Sequence, residues 1–87
     1  MRYAARVDAN QAKIVKVLRE AGAYVCIIGL PVDLLVGYNG STFLVEIKDG
    51  SKKHLTHLQR DFFEKWMGGT LCRIDGPEAA LRMIGVL

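Results

Sequence analysis

The chain has 87 residues, of which 51% are hydrophobic and 24% are charged, and this composition is that of a globular protein rather than a disordered tail. Its net charge of +3 does not by itself indicate a polyanion-binding surface, which would need local clustering of basic residues. The N-terminus lacks an apolar run of signal-peptide length, and no window approaches the roughly 18 apolar residues of a membrane span. We therefore expect a cytoplasmic protein with a single domain over residues 1–87.

Hydrophobic periodicity predicts three helices. From Asp8 the apolar residues recur at spacings of three and four, so a first helix should begin at an Asp8 cap and end at Gly22. A second helix should begin after Thr56 and end at Gly68-Gly69. Pro77 favours the first position of a short third helix.

Four short segments have the apolar and β-branched residues typical of strands, at residues 23–30, 32–38, 42–48 and 70–74. Asn39-Gly40 is a strong hairpin signal and predicts that the second and third strands pair antiparallel. The predicted order is therefore α-β-β-β-α-β-α. This order indicates an α/β fold with a small mixed four-stranded sheet flanked by helices.

Three charged residues, Asp33, Glu46 and Lys48, interrupt the strands that should form the middle of this sheet. Side chains alternate across a strand, so Glu46 and Lys48 share one face. The hairpin brings Asp33, near the start of one strand, towards the end of the next strand. We therefore expect the three charges to converge at one end of the sheet.

Such a cluster suits the hydrolysis of a phosphodiester. Two neighbouring carboxylates repel each other, and a divalent cation such as Mg²⁺ or Mn²⁺ holds both ionised. A lysine ammonium can orient a water and offset charge developing on the phosphate. In the competing interpretation, Glu46 and Lys48 form an ion pair on a half-exposed strand, and Asp33 only begins a strand after Pro31.

The order of a helix, a strand with Pro31-Val32-Asp33, a strand with Glu46-Ile47-Lys48 and another helix resembles the PD-(D/E)XK nuclease superfamily. More narrowly, the chain resembles the VRR-NUC family in its small stand-alone form, common in phages and prophages. The stretches that carry this resemblance are "DANQAKIVKVLREAGA", "VDLLVGYNGSTFLVEIKDG" and "LTHLQRDFFEKW". The resemblance spans about residues 7–84 and implies a restriction-endonuclease-like αβββαβ core.

The resemblance also implies roles for individual residues. Asp33, Glu46 and the main-chain carbonyl of Ile47 would bind Mg²⁺ or Mn²⁺. Lys48 would be the catalytic lysine. Gln59 matches a glutamine that the family places on the helix after the Glu-x-Lys strand.

The family often has a glutamate on the first helix at or beside Gln11, where this chain has Asn10-Gln11. Both Gln11 and Gln59 also have a simpler interpretation, because Asp8-x-x-Gln11 and Thr56-x-x-Gln59 each match a helix capping box. Both glutamines lie on the apolar stripe of their helix, where a purely capping residue has less reason to lie. A role in the site therefore stays open for each.

A basic cluster follows the Glu-x-Lys strand and comprises Lys52, Lys53, His54, His57 and Arg60. Such a run is usually a solvated face. Beside a metal site, however, we interpret it as a rim that contacts DNA phosphates.

These features together predict a Mg²⁺-dependent endodeoxyribonuclease, and the alternative is a non-catalytic DNA-binding or assembly module that retains the nuclease fold. The chain is small for a self-sufficient core, and its helices and C-terminal "ALRMIGVL" carry more apolar side chains than one small sheet needs. We therefore expect a homodimer. As in the small stand-alone proteins that the chain resembles, its substrate would be branched DNA such as a four-way Holliday junction.

Overall fold

Three helices and four strands form the part of the chain that the computed structural model describes, residues 4–48 and 55–87. The elements are α1 (Ala4–Glu20), β1 (Tyr24–Ile27), β2 (Leu34–Tyr38), β3 (Ser41–Ile47), α2 (His57–Lys65), β4 (Thr70–Ile74) and α3 (Pro77–Met83). The predicted element order is confirmed, and so is a small α/β fold with a four-stranded mixed sheet. Within the described ranges, no helix combines the length and the apolar character that crossing a bilayer requires.

The strands lie in the order β1-β2-β3-β4, with antiparallel pairs β1–β2 and β2–β3 and a parallel pair β3–β4. The β2–β3 hairpin turns at Asn39 and Gly40, whose φ angles of 51° and 84° are both in the left-handed region. Asn-Gly suits a two-residue turn of this kind because both central positions need positive φ. The predicted hairpin is therefore confirmed, and α2 lies in the connection between the parallel strands β3 and β4.

The core lies between one face of the sheet and the helices α1 and α3. Leu34, Val36 and Val45 are fully buried on that face. The residues that cover them from α1 and the C-terminal segment include Ile14, Val15, Leu18, Ala80 and Ile84. Ala80 and Ile84 of the C-terminal segment thus pack into the core of their own chain, whereas Val86 and Leu87 remain exposed.

Helix α1 begins earlier than the sequence pattern predicts. It starts at Ala4, so Asp8 lies inside the helix and the prediction of an Asp8 cap was wrong. The physical reason is that Ala4 and Ala5 have high helix propensity and extend the helix beyond its apolar stripe. The capping-box interpretation of Gln11 fails with it, because Gln11 lies in the helix interior.

The other face of the sheet is only partly covered. Gln59 of α2 contacts Glu46 on this face, yet α2 has no fully buried residue. Leu44 of β3 is buried here, whereas Leu35 of β2 remains 38% exposed. One face of the sheet therefore carries the core, and the other carries charged residues and accessible apolar surface.

Candidate active site

Asp33 and Glu46 face each other across the β2–β3 pair. Leu34 pairs with Val45, and continuing this antiparallel register by one residue places Asp33 opposite Glu46. Because Leu34 and Val45 point into the core, alternation directs both carboxylates to the opposite face. The two carboxylates therefore lie together at the end of the hairpin, as the sequence pattern predicts.

Main-chain hydrogen bonds hold Asp33 at the entrance to β2. Its carbonyl accepts hydrogen bonds from the N–H groups of Ile28 at 2.9 Å and Gly29 at 3.2 Å. Its Oδ2 accepts a hydrogen bond from the Ile47 N–H at 2.7 Å. The N–H and C=O of one strand residue point to the same side, so the Ile47 carbonyl points to the edge of β3 where Asp33 lies.

The environment of Glu46 raises the pKa of its carboxyl to about 7. Burial is the largest cause, followed by the negative charge of Asp33. A hydrogen bond with Asp33, which needs a proton between the two carboxyls, raises this pKa further, whereas the hydrogen bond from Gln59 and the charge of Arg73 lower it. Glu46 is therefore partly protonated near neutral pH, and a cation beside it would relieve the repulsion that raises its pKa.

One oxygen of Glu46 is buried without a donor. Its Oε2 accepts a hydrogen bond from Gln59 Nε2 at 3.0 Å, whereas its Oε1 has no hydrogen-bond partner among the described residues. A buried carboxylate oxygen in this state is costly. Oε1 and the neighbouring Asp33 carboxylate are hard oxygen ligands of the kind that Mg²⁺ and Mn²⁺ prefer, so the donor set fits a divalent cation.

The set of side-chain ligands is small. Across residues 4–48 and 55–87, no group of three or more His, Cys, Asp or Glu side chains is placed to hold a metal ion. Asp33 and Glu46 would therefore need the Ile47 carbonyl and water to complete the coordination of a cation.

Both the oxygen and the nitrogen of the Gln59 side-chain amide form hydrogen bonds. Its Oε1 accepts a hydrogen bond from the Thr56 main-chain N–H at 3.2 Å, and Thr56 Oγ1 accepts one from the Gln59 N–H at 3.1 Å, which completes a capping box. Because the cap occupies the amide oxygen, the NH₂ group faces Glu46. Gln59 therefore caps α2 and contacts the carboxylate pair at the same time.

Lys48 follows the last residue of β3 and is half-buried. Its main-chain N–H donates to the Ile74 carbonyl at 2.8 Å, which ties the end of β3 to β4. Among the ion pairs of the described residues, none joins Lys48 to Glu46. The ion-pair interpretation of these two residues thus finds no support in the structure.

Within residues 4–48 and 55–87, no hydrogen bond joins the other predicted site residues to the carboxylates. Gln11 lines a groove of about 650 Å³ between α1 and Ile27 at the end of β1, and the described hydrogen bonds do not connect it to Asp33 or Glu46. Arg60 is exposed on α2, where its Nη2 donates to the Leu55 carbonyl at 3.4 Å, and His57 is exposed at the start of that helix. The other members of the basic cluster, Lys52, Lys53 and His54, lie outside the described residues.

Arg73 is a site residue that the sequence analysis missed. It pairs with Glu46 in the parallel β3–β4 register, so its side chain extends over the face that carries the carboxylates. The only signal in the sequence is one basic residue within the strand "TLCRI". That signal does not say which residue of β3 lies beside it.

Comparisons of the chain with protein-family models, with curated proteins and with solved structures found no match. The resemblance to the VRR-NUC family therefore stays a hypothesis, and the geometry of Asp33, Glu46 and Gln59 carries the functional proposal.

The raised pKa of Glu46 should make stability depend on pH. Its folded-state value of about 7 lies above the ordinary value of 4.5, so the stabilising contribution is fully present below the ordinary value and is lost as the pH rises through 7. Thermal melting at a series of pH values should show this loss in the wild type and not in Glu46→Gln, which stays neutral throughout. Glu64→Gln, a change at an exposed residue of α2, should keep the wild-type dependence. The same pH dependence in Glu46→Gln and wild type would contradict the assignment.

Gln59→Glu should separate helix capping from contact with the site. A glutamate still accepts from the Thr56 N–H, so circular dichroism should find the helix content retained. The variant replaces the donor to Glu46 with a negatively charged oxygen, so NMR titration should find the Glu46 pKa raised further. Gln59→Leu removes both contacts and should also destabilise the protein by about 0.5–1.5 kcal/mol. An unchanged Glu46 pKa in Gln59→Glu would rule out the contact.

Proposed function

We propose that the protein is a metal-dependent endodeoxyribonuclease that hydrolyses phosphodiester bonds. The observation that carries the proposal is the Glu46 carboxylate beside Asp33, with a buried oxygen that lacks a donor among the described residues. Structures normally avoid such an arrangement unless it serves a ligand or a reaction. We further propose that the sheet and helices form a restriction-endonuclease-like core and that the chain belongs to the VRR-NUC family, as its motifs suggest.

In this proposal each site residue has a separate task. Asp33 and Glu46 would hold Mg²⁺ or Mn²⁺ together with the Ile47 carbonyl. Gln59 holds Oε2 of Glu46 and so fixes the direction of Oε1. Once bound, the cation would polarise the phosphodiester and offset its negative charge. The Lys48 ammonium orients the attacking water and stabilises charge that develops on the phosphate during in-line displacement.

The proposed ligand of the exposed basic residues is the DNA backbone. Gln59 contacts Glu46 from the first turn of α2, so this end of the helix lies beside the carboxylates. In this proposal the exposed cations here, including Arg60, contact phosphates on either side of the bond that is cut. Lys52, Lys53 and His54 stay part of this prediction. The proposed location is the cytoplasm, which would be that of a bacterial host if the protein is encoded by a phage or prophage.

We propose that the working unit is a homodimer formed through the partly covered face of the sheet. Tyr24 and Leu35 lie on this face and are 76% and 38% exposed, and Leu58 of α2 is 78% exposed. A second copy of the chain offers a matching apolar surface for these side chains. A two-fold dimer would also present two sites to a four-way junction.

Loss of the metal ligand should abolish cleavage. Labelled linear, flapped and four-way DNA incubated with Mg²⁺, Mn²⁺ or EDTA should be cut only with metal, and Glu46→Gln should be slower by about two orders of magnitude or more while it still binds DNA. Mg²⁺ should raise the melting temperature of the wild type and not of this variant. Glu64→Gln is the control variant, because it makes the same loss of charge at an exposed position of α2. A wild type that binds DNA and never cuts it would favour the non-catalytic alternative.

Lys48→Ala should slow the chemical step without a comparable loss of stability. The variant removes the ammonium that would stabilise the transition state, so single-turnover rates should fall by orders of magnitude. Its unfolding free energy should change by no more than about 0.5 kcal/mol, because Lys48 forms no described ion pair with Glu46. Lys13→Ala, at an exposed position of α1, is the matched control. A stability loss with an unchanged rate per folded molecule would favour a structural role.

Leu58→Glu should dissociate the proposed dimer. Sedimentation at micromolar concentration should give a dimer mass for the wild type and a monomer mass for Leu58→Glu, because the new charge would be buried in the interface. Leu87→Glu, at a 61% exposed C-terminal position, should leave the mass unchanged. The wild type should also introduce paired nicks in a four-way junction. A monomeric wild type, or cuts confined to one strand, would reject the dimer and leave a nicking nuclease.

A further inference from the structure

Strand β4 brings a cation beside the carboxylate pair. The parallel register places Arg73 next to Glu46, on strands that are roughly 4.8 Å apart. Cys72 and Ile74, the neighbours of Arg73 in β4, pack towards the core. Arg73 therefore points to the face that carries Asp33 and Glu46, and it is exposed there.

This position suits the recognition of a phosphate group. A guanidinium presents pairs of N–H donors at the spacing of phosphate oxygens and stays charged at every physiological pH. The hydrogen-bonded ladder between β3 and β4 sets the place of Arg73 relative to Glu46, so this cation comes from the scaffold of the sheet and not from a loop. A ligand that reaches the carboxylates would bring its phosphates within reach of this side chain.

We propose that Arg73 binds a phosphate of the DNA backbone adjacent to the bond that is cut. This inference rests on the proposed nuclease function and adds a specific substrate contact to it. Arg73 then adds a cation from β4 to the basic residues around α2, since β4 and α2 both border Glu46.

A purely structural role would make Arg73 a counter-charge for Glu46. The two roles predict different responses to removal of the charge. A counter-charge repels a divalent cation from the carboxylates, so its loss should strengthen metal binding or leave it unchanged. A phosphate contact binds the substrate, so its loss should weaken DNA binding specifically.

The test measures DNA affinity in EDTA over a series of salt concentrations, and measures metal binding separately from the rise in melting temperature with Mg²⁺. Arg73→Ala should raise the Kd for DNA by about 10- to 100-fold, as expected for a hydrogen-bonded charged contact. It should also lower the salt slope by about one, because one phosphate contact is lost. The effect of Mg²⁺ on melting should not decrease. Arg73→Lys keeps the charge without the guanidinium fork and should recover part of the affinity and the full salt slope.

Arg82→Ala is the control, because Arg82 is exposed on α3, which packs on the core side of the sheet. It should leave the Kd and the salt slope unchanged.

If Arg73→Ala binds DNA as tightly as Arg82→Ala, the inference is rejected, whether or not the wild type cleaves. Loss of both DNA and Mg²⁺ binding in Arg73→Ala would indicate that the substitution disturbs the carboxylate pair itself, and it would also reject the inference. A different result, a wild type that binds DNA and does not cut it, would reject the nuclease proposal. A wild type that binds no DNA would reject both.

Discussion

Repulsion between two carboxylates that the β2–β3 hairpin holds side by side is the constraint on which the site depends. Leu34 and Val45 are buried in the core. Because side chains alternate along a strand, Asp33 and Glu46 must both lie on the opposite face of the sheet. Desolvation adds to the cost, because Glu46 is half-buried. The core therefore maintains an arrangement that the carboxylates alone would oppose, which is a common property of functional sites.

Helix α2 contacts the carboxylate pair through Gln59. The helix has no fully buried residue, and Phe62 and Phe63 are half-buried. The capping box of Thr56 and Gln59 stabilises its first turn, and the same glutamine links that turn to the sheet by donating to Glu46. The start of the helix and the orientation of the carboxylate are thus stabilised together, and a change that disturbs one of them also affects the other.

The two faces of the sheet have different physical roles. The face covered by α1 and α3 holds the fully buried residues Leu34, Val36 and Val45 and provides stability. The opposite face carries the carboxylates and Arg73 at one end and exposed apolar side chains elsewhere. A sheet of four strands can do both because alternate residues of each strand point in opposite directions.

The sequence alone determined the features that depend on neighbours along the chain. Apolar patterns, strand composition and helix-boundary residues predicted all the described helices and strands. Asn39-Gly40 predicted the hairpin, and counting back from this turn places Asp33 opposite Glu46. The apolar stripe and the expected Asp8 cap placed the start of α1 less well, because an apolar stripe can end before the helix does.

Only the tertiary structure decided the contacts that join distant segments. The sequence left two roles open for Gln59, and the approach of α2 to β3 allows one amide to perform both. The sequence did not show which residue of β3 lies beside Arg73, because the β3–β4 register is set across the connection that contains α2 and not by a short turn. A hairpin register follows from counting residues back from its turn, whereas parallel pairing across a long connection depends on how the helices and the core pack together.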